Sequence, residues 1–290
     1  MLIQELLSSL RVRILRIDRY CHDTSWSSDN LNSPLNRLYF TTGGEAYVRH
    51  HDRKYHLTPG TLHLIPCHTS SDHYCPEYVE HYFLYFGSRT ALGMDLLALL
   101  ECNYHTKAGK RERALFDRLR DINPDKIENP QMPLDNKLAV RKLNTFEPQE
   151  RPCNIMESGG ITRMLIAPFL ETAQEHSNIR RLQAIHRFRD VLSYIDSNLC
   201  EPITLDELAH IAHLEPNYFS RLFAQFLGIR PIQFINRRRI ERAQLLLLST
   251  DKTLNEIAME VGFCDWSYFS RTFKKYMCVT PGEYRRTVVR

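Results

Sequence analysis

A short unit occurs twice near the carboxy terminus, and that repetition limits what the chain can fold into more than any other feature. Leu205-Asp206-Glu207-Leu208-Ala209 corresponds to Leu254-Asn255-Glu256-Ile257-Ala258. Tyr218-Phe219-Ser220-Arg221-x-Phe223 corresponds to Tyr268-Phe269-Ser270-Arg271-x-Phe273, and Pro231 and Phe234 correspond to Pro281 and Tyr284. The offset is 49 residues at the start of the unit and 50 beyond its middle, so the second copy carries one extra residue in its turn.

Each copy reads as two helices. Thr204 and Thr253 stand where a helix would be capped, each with a glutamate three residues on, Glu207 and Glu256, the pattern in which side chains satisfy the orphan N–H groups of a first turn. Pro216 suits the first turn of the next helix, and Gly228 its end. A long helix from about Ile232 to Leu248 joins the copies. Phe269, Phe273 and Tyr276 are spaced by four and three residues, so they share one helix face, as do Phe219, Phe223 and Phe226. The opposite faces present Asn217, Ser220, Arg221 and Ala224 in one copy, and Ser267, Ser270, Arg271 and Lys274 in the other.

Short residues let a helix approach base edges, and arginine can bond guanine O6 and N7 together. Lys274 and Lys275 suit phosphate, which positions a helix without reading sequence. One such helix would be an ordinary solvated face. The same arrangement twice, each behind a capped short helix, fits two helices entering successive turns of one groove. Charge agrees: residues 180–290 hold 17 Lys and Arg against 12 Asp and Glu, whereas residues 1–179 hold 21 against 22. The positive balance therefore lies with the repeat, as phosphate binding needs.

Residues from about Arg181 to Arg286 resemble the DNA-binding domain of the AraC/XylS family of bacterial transcription regulators. The likeness is carried by Gly262-Phe263-x-Asp265-x-Ser267-Tyr268-Phe269-Ser270-Arg271-x-Phe273-Lys274-Lys275, by Thr280-Pro281-x-x-Tyr284-Arg285, and by Arg239-Ile240-x-x-Ala243-x-x-Leu246-Leu247 between the copies. The resemblance implies DNA contacts at Asn217, Ser220 and Arg221, and at Trp266, Ser267, Ser270 and Arg271, with Lys274 and Lys275 beside them. It also implies RNA polymerase as a partner and activation as the commoner role. Cys278 departs from the family's glycine after the second reading helix, which makes a tight helix end there less secure than at Gly228.

The amino-terminal half has another texture. From Leu38 to Phe86, short apolar runs alternate with Gly43-Gly44, Pro59-Gly60 and Pro66, which argues for a small antiparallel barrel or sandwich. Helical spacing follows at Met94–Leu100 and Ala114–Leu119, and a proline-rich loop is expected from Asn123 to Pro152. A helix over Ile161–Gln174 fits either a dimer contact or burial within its own subunit. A further apolar stripe, Leu182, Ile185, Phe188, Leu192 and Ile195, predicts a helix ending near Asn198.

The strand region resembles, through Tyr55-His56-Leu57-x-Pro59-Gly60-x-Leu62 and Ile65-Pro66, the cupin-like sensor barrel of the same family. That implies a small-molecule effector such as a sugar or a small aromatic, for which Tyr39, Tyr47, His63, His81 and Tyr85 are candidates, with alternation alone not settling which of them face inward. Nine of the 13 histidines fall between His22 and His105, which raises an alternative, a metal-dependent cupin enzyme with a DNA-binding tail. The cupin metal pattern wants two histidines one residue apart with a nearby glutamate. His50 and His51 are adjacent, so a strand would point them to opposite faces, and no metal ligands or other cofactors are assigned. A third possibility is an amino-terminal region that only dimerises.

The eight cysteines show no CxxC pair, as expected in a reducing compartment. Met1 to Asp18 carries Glu5 within its apolar stretch and makes a poor secretory signal. The expectation is a cytoplasmic, non-enzymatic α+β protein. It comprises a cupin-like antiparallel β-barrel over residues 1–110, a linking helical segment that could dimerise over 111–180, and an all-α double helix-turn-helix over 181–290. Its partners are double-stranded DNA, an effector, RNA polymerase and a second copy of the chain.

Overall fold

The computed structural model describes residues 4, 7–90, 94–127, 151–174, 183 and 185–287. The amino-terminal part is built from nine antiparallel strands: β1 (Arg11–His22), β2 (Ser28–Leu31), β3 (Asn36–Gly44), β4 (Ala46–His50), β5 (Arg53–Leu57), β6 (Thr61–Ile65), β7 (Ser71–Tyr74), β8 (Val79–Arg89) and β9 (His105–Lys107). They form one sheet in the order β1-β8-β3-β6-β9 and a second in the order β2-β7-β4-β5. Antiparallel sheets are as expected, but the ladders stay in two separate sheets and do not close into one barrel. Sequence reasoning assigned no strand to β1. Its charged residues interrupt any simple apolar alternation.

Period-two alternation explains the burial of β8. Its His81, Phe83 and Tyr85 face the smaller sheet, while Tyr82, Leu84 and Phe86 face a helical layer. Both faces are covered, which is why this strand reads as a nearly continuous aromatic run. The layer on the outer face comprises α1 (Leu96–Leu99), α2 (Lys110–Ile122) and α3 (Pro152–Ile166). Phe116 of α2 stacks on Phe40 with ring centroids 5.9 Å apart, and Tyr82 donates its hydroxyl proton to Asp117 at 2.7 Å. Full burial of each such side chain contributes roughly 1.5–3 kcal/mol.

The helix expected over Ile161–Gln174 begins earlier, at Pro152, whose missing N–H costs nothing in a first turn. Gly159 and Gly160 obscured its periodicity. It also ends earlier, because Pro168 cannot continue the α ladder and the chain tightens into a 3-10 segment, Ala167–Gln174. Ile161, Leu165 and Phe169 are buried within the same chain. The loop expected from Asn123 to Pro152 lies outside the described residues from 128 to 150.

The carboxy-terminal part is helical: α4 (Arg189–Ser197), α5 (Leu205–Ile211), α6 (Pro216–Leu227), α7 (Pro231–Ser249), α8 (Leu254–Glu260), α9 (Trp266–Met277) and α10 (Pro281–Thr287). Ile185, Phe188, Leu192 and Ile195 are buried as the stripe predicts, whereas Leu182 lies outside the described residues. The first unit shares one apolar core with the helical layer, and the second has a core of its own around Phe263, Phe269 and Phe273.

A buried polar network joins the two parts. His68 lies 2.5 Å from Gln244 of α7, whose side-chain amide donates to Asn32 at 3.2 Å and to the Tyr284 hydroxyl at 3.1 Å. No helix among the described residues is long and apolar enough to cross a membrane.

Candidate nucleic-acid interface

Both short helices start as their sequence dictates. The Thr204 hydroxyl accepts the Glu207 N–H at 3.2 Å while the Glu207 carboxylate accepts the Thr204 N–H at 2.9 Å. Thr253 and Glu256 repeat this at 3.2 and 2.7 Å. The turns then begin identically, with His213 at φ +53° and Gly262 at φ +89°. Glu215 caps α6 and Asp265 caps α9, so Cys264 is the extra residue of the second copy. Burial identifies the outward faces. Phe219, Phe223, Phe269 and Phe273 are completely buried. Asn217, Arg221, Ser267, Arg271, Lys274 and Lys275 are exposed, and Ser220, Ala224 and Ser270 are half-buried beside them.

Trp266 is exposed at the start of α9 with its ring 5.5 Å from Phe269, so it covers the turn and borders the outward face at once. Tyr276 is only half-buried, and its hydroxyl donates to the Gln233 carbonyl at 3.1 Å. Cys278 ends α9 at φ +62°, with its N–H bonded to the Lys274 carbonyl at 2.9 Å. The tight helix end thus persists without glycine, at the cost of a non-glycine residue in left-handed backbone.

Two features escaped sequence reasoning. Tyr218 and Tyr268 are also exposed on the reading helices, and the Tyr268 hydroxyl accepts a hydrogen bond from Asn236 of α7 at 2.8 Å. Their identical places in the repeat were the available signal. The second feature fixes one unit against the other. Arg239 of α7 donates to the Leu199 carbonyl at 2.9 Å and to the Glu201 carbonyl at 2.7 Å. Its guanidinium also lies 5.7 Å from the centre of the Phe263 ring. Gly262 packs onto this junction so closely that a Cβ would sit 2.4 Å from the Leu199 oxygen. This joint ties the turn of the second unit to the segment that leads into the first.

The amino-terminal candidates separate in space. Tyr39, His81 and Tyr85 line one cavity of about 330 Å3 between the sheets, together with Arg16, Trp26 and Phe83. Tyr47 does not. In β4 the inward positions are Ala46, Val48 and His50, so Tyr47 points out, stacked on His56 at 4.5 Å with Lys54 over its ring. His63 is buried elsewhere, with its Nε2 3.2 Å from that of His50. The expected opposition of His50 and His51 also fails, because the strand stops at His50 and His51 turns at φ +48°, leaving their Nδ1 atoms 2.8 Å apart. Among the described residues, no group of three or more His, Cys, Asp or Glu is placed to hold a metal ion.

Two capped helix pairs, each presenting a polar and basic face, define a double helix-turn-helix protein. Residues 208–287 match a family model described as a helix-turn-helix domain. YfiF of Bacillus subtilis (strain 168), an uncharacterized HTH-type transcriptional regulator, is 35% identical over 283 residues, 92% of this chain and 83% of its own length. The regulatory protein PocR of Salmonella typhimurium is 35% identical over 102 residues, 35% of this chain and 34% of its own length. The chain thus covers about a third of PocR and 46% of AdaA, a bifunctional transcriptional activator/DNA repair enzyme of Bacillus subtilis. ToxT from Vibrio cholerae superposes with a TM-score of 0.51 at 14% identity, covering 97% of this chain and 98% of that one, a likeness of fold. The chain belongs to the AraC-type family of helix-turn-helix, DNA-binding transcription regulators.

Proposed function

We propose that α6 and α9 read two adjacent segments of one duplex site, through Asn217, Ser220 and Arg221 and through Trp266, Ser267, Ser270 and Arg271. Lys274 and Lys275 hold phosphate. The observation that carries this reading is the exposed arginine beside a half-buried serine on each helix, with the two units tied together at the Arg239–Gly262 joint. The lysines lie in the last turn of α9, where their positive charge complements its helix dipole.

The labour divides as residues 1–110 for sensing, 111–180 for linking and dimerisation, and 181–290 for DNA. The double sheet acts as a cupin-like jelly roll that takes a small molecule and thereby favours one arrangement of the parts. The His68–Gln244 contact supports this reading, because it ties a loop of the sheet region to the helix that joins the two reading units. In this scheme the protein works in the cytoplasm as an activator that engages RNA polymerase.

The test is selection from random duplex DNA with the full chain and with Arg221→Ala and Arg271→Ala. The parent should enrich one motif with two segments about one helical turn, roughly 10 base pairs, apart. Each variant should relax one segment, by roughly 1–3 kcal/mol, and leave the other unchanged. A parent motif left intact in both segments by both substitutions would refute the assignment. Enrichment of a doubled motif would indicate binding as a dimer.

A further inference from the structure

Two tyrosine hydroxyls of α9 meet α7, and they do so in opposite senses. Tyr276 donates its proton to the Gln233 carbonyl at 3.1 Å. A carbonyl can only accept, so that proton is spent. Tyr268 instead receives a side-chain N–H from Asn236 at 2.8 Å. An amide nitrogen can only donate, so Tyr268 keeps its own proton for another partner. Among the described residues that proton meets no acceptor.

The Tyr268 side chain is held from two sides. Asn236, 9% exposed, grips the hydroxyl from α7, and the ring lies 5.7 Å from that of Phe263 in the preceding turn. Yet Tyr268 itself is 46% exposed. An oriented donor open to solvent is ready for a ligand acceptor without further ordering. Its place on the helix narrows the kind of acceptor. Ser267, Arg271 and Lys274 form the middle of the outward face, and Tyr268 borders it on the side of α7. Lys275, seven residues on and exposed, falls on the same flank about 10 Å along the axis. The first unit differs here: the matching positions are Tyr218 and Gln225, and Tyr218 lies beside the Arg221 guanidinium, 5.9 Å from the centre of its ring. The second flank therefore pairs a fixed hydroxyl donor with a cation, a combination suited to an anionic oxygen.

We propose that Tyr268, positioned by Asn236, donates its hydroxyl proton to one DNA backbone phosphate between the two reading segments, with Lys275 on the same flank. A phosphate oxygen only accepts. With α6 and α9 in successive turns of one groove, the backbone between them passes the flank of α9 that faces α7. Such a contact sets the register of the second unit on the duplex and reads no base. It presupposes that α6 and α9 read DNA, and it gives the joining helix a part in that binding through Asn236.

Fluorescence anisotropy with the full chain tests this on the duplex motif it selects. Copies of that duplex carry one methylphosphonate, a methyl in place of a charged phosphate oxygen, at each position between the segments in turn. One position should weaken the parent about 10-fold, as expected for a lost hydrogen bond to a charged group. Tyr268→Phe should bind the unmodified duplex about 10-fold more weakly, keep the same motif, and lose its sensitivity at that one position. Asn236→Ala should also bind more weakly, and adding it to Tyr268→Phe should cost nothing more, as for two members of one interaction. Tyr276→Phe, which removes a hydroxyl whose proton is already spent, should leave DNA affinity unchanged. Melting curves establish that the variants fold, and if Asn236→Ala does not, Tyr268→Phe alone decides. Parental affinity in Tyr268→Phe, or weaker binding with the methylphosphonate pattern intact, would overturn the contact. An equal loss in Tyr276→Phe would assign the effect to packing of α9 on α7 and overturn it too. A selected motif that Arg271→Ala relaxes and Tyr268→Phe leaves untouched spares the reading of DNA by α9; a parent that selects no motif refutes both.

Discussion

Replacing Gly262 by alanine should damage the second helix-turn-helix unit far more than a single methyl suggests. The position holds φ +89°, a left-handed conformation that costs a side-chain-bearing residue about 1–2 kcal/mol. Steric conflict adds to this. The new Cβ would lie 2.4 Å from the Leu199 carbonyl oxygen and 2.9 Å from the Arg239 guanidinium carbon. The backbone oxygen cannot swing aside as a flexible side chain would, so the turn must move away from Arg239. At least one of the bonds from Arg239 to Leu199 and Glu201 then weakens, and a hydrogen bond from a charged donor is worth about 1.5 kcal/mol or more. The sum is about 3 kcal/mol. Urea unfolding should report it as a midpoint lowered by about 1–3 M in the transition of that unit. The displaced turn should also weaken binding to the two-part DNA site beyond the loss expected from stability alone. His213→Ala is the control: the same place in the first turn, also left-handed at φ +53° but exposed, should change stability by no more than about 0.5 kcal/mol. A Gly262→Ala protein that unfolds within about 0.5 kcal/mol of the parent would refute this account of the joint.

Cys278→Gly should stabilise the same unit by about 1 kcal/mol, because an exposed side chain in left-handed backbone is exchanged for a residue that adopts it freely; a thermal melt with no upward shift would argue against it. Acid should destabilise the sheet region before the helical one. Burial pushes His50 and His81 down to about 3 from an ordinary 6.5. With the folded value depressed, their contribution is fully present above pH 6.5 and is lost as pH falls toward 3, at up to about 1.4 kcal/mol per pH unit for each histidine. Denaturant titrations at pH 7, 6, 5 and 4 should show that slope, and His81→Gln should flatten it; an unchanged slope would exclude His81 as a source.

The helices of the carboxy-terminal part and their exposed faces were legible in the sequence because their determinants are local. A threonine with a glutamate three residues on forms the same cap at Thr204 and Thr253 whatever surrounds it. Phenylalanines spaced by four residues mark a buried face on any helix, and Ser220, Arg221, Ser270 and Arg271 are left on the other. Repetition of these signals sufficed for the two units and the long helix between them. Hydrogen bonding within one turn and the 3.6-residue period are properties of short sequence, so no distant contact was needed.

The amino-terminal site was not legible in this way, because its members meet only across strands and around turns. Alternation alone did not settle which of Tyr39, Tyr47, His63, His81 and Tyr85 face inward, and it says nothing of Arg16, whose direction depends on a one-residue slip between β1 and β8. His51 folds back on His50 through a turn that no alternation rule contains. Gly262 announces a turn in the sequence, but only the approach of Leu199 and Arg239, from elements far away in the chain, makes glycine obligatory there. Sequence by itself determined the helices and their faces, since those energies are local. Tertiary structure decided the cavity and the joint, since sheet register and the meeting of distant backbones are set by packing.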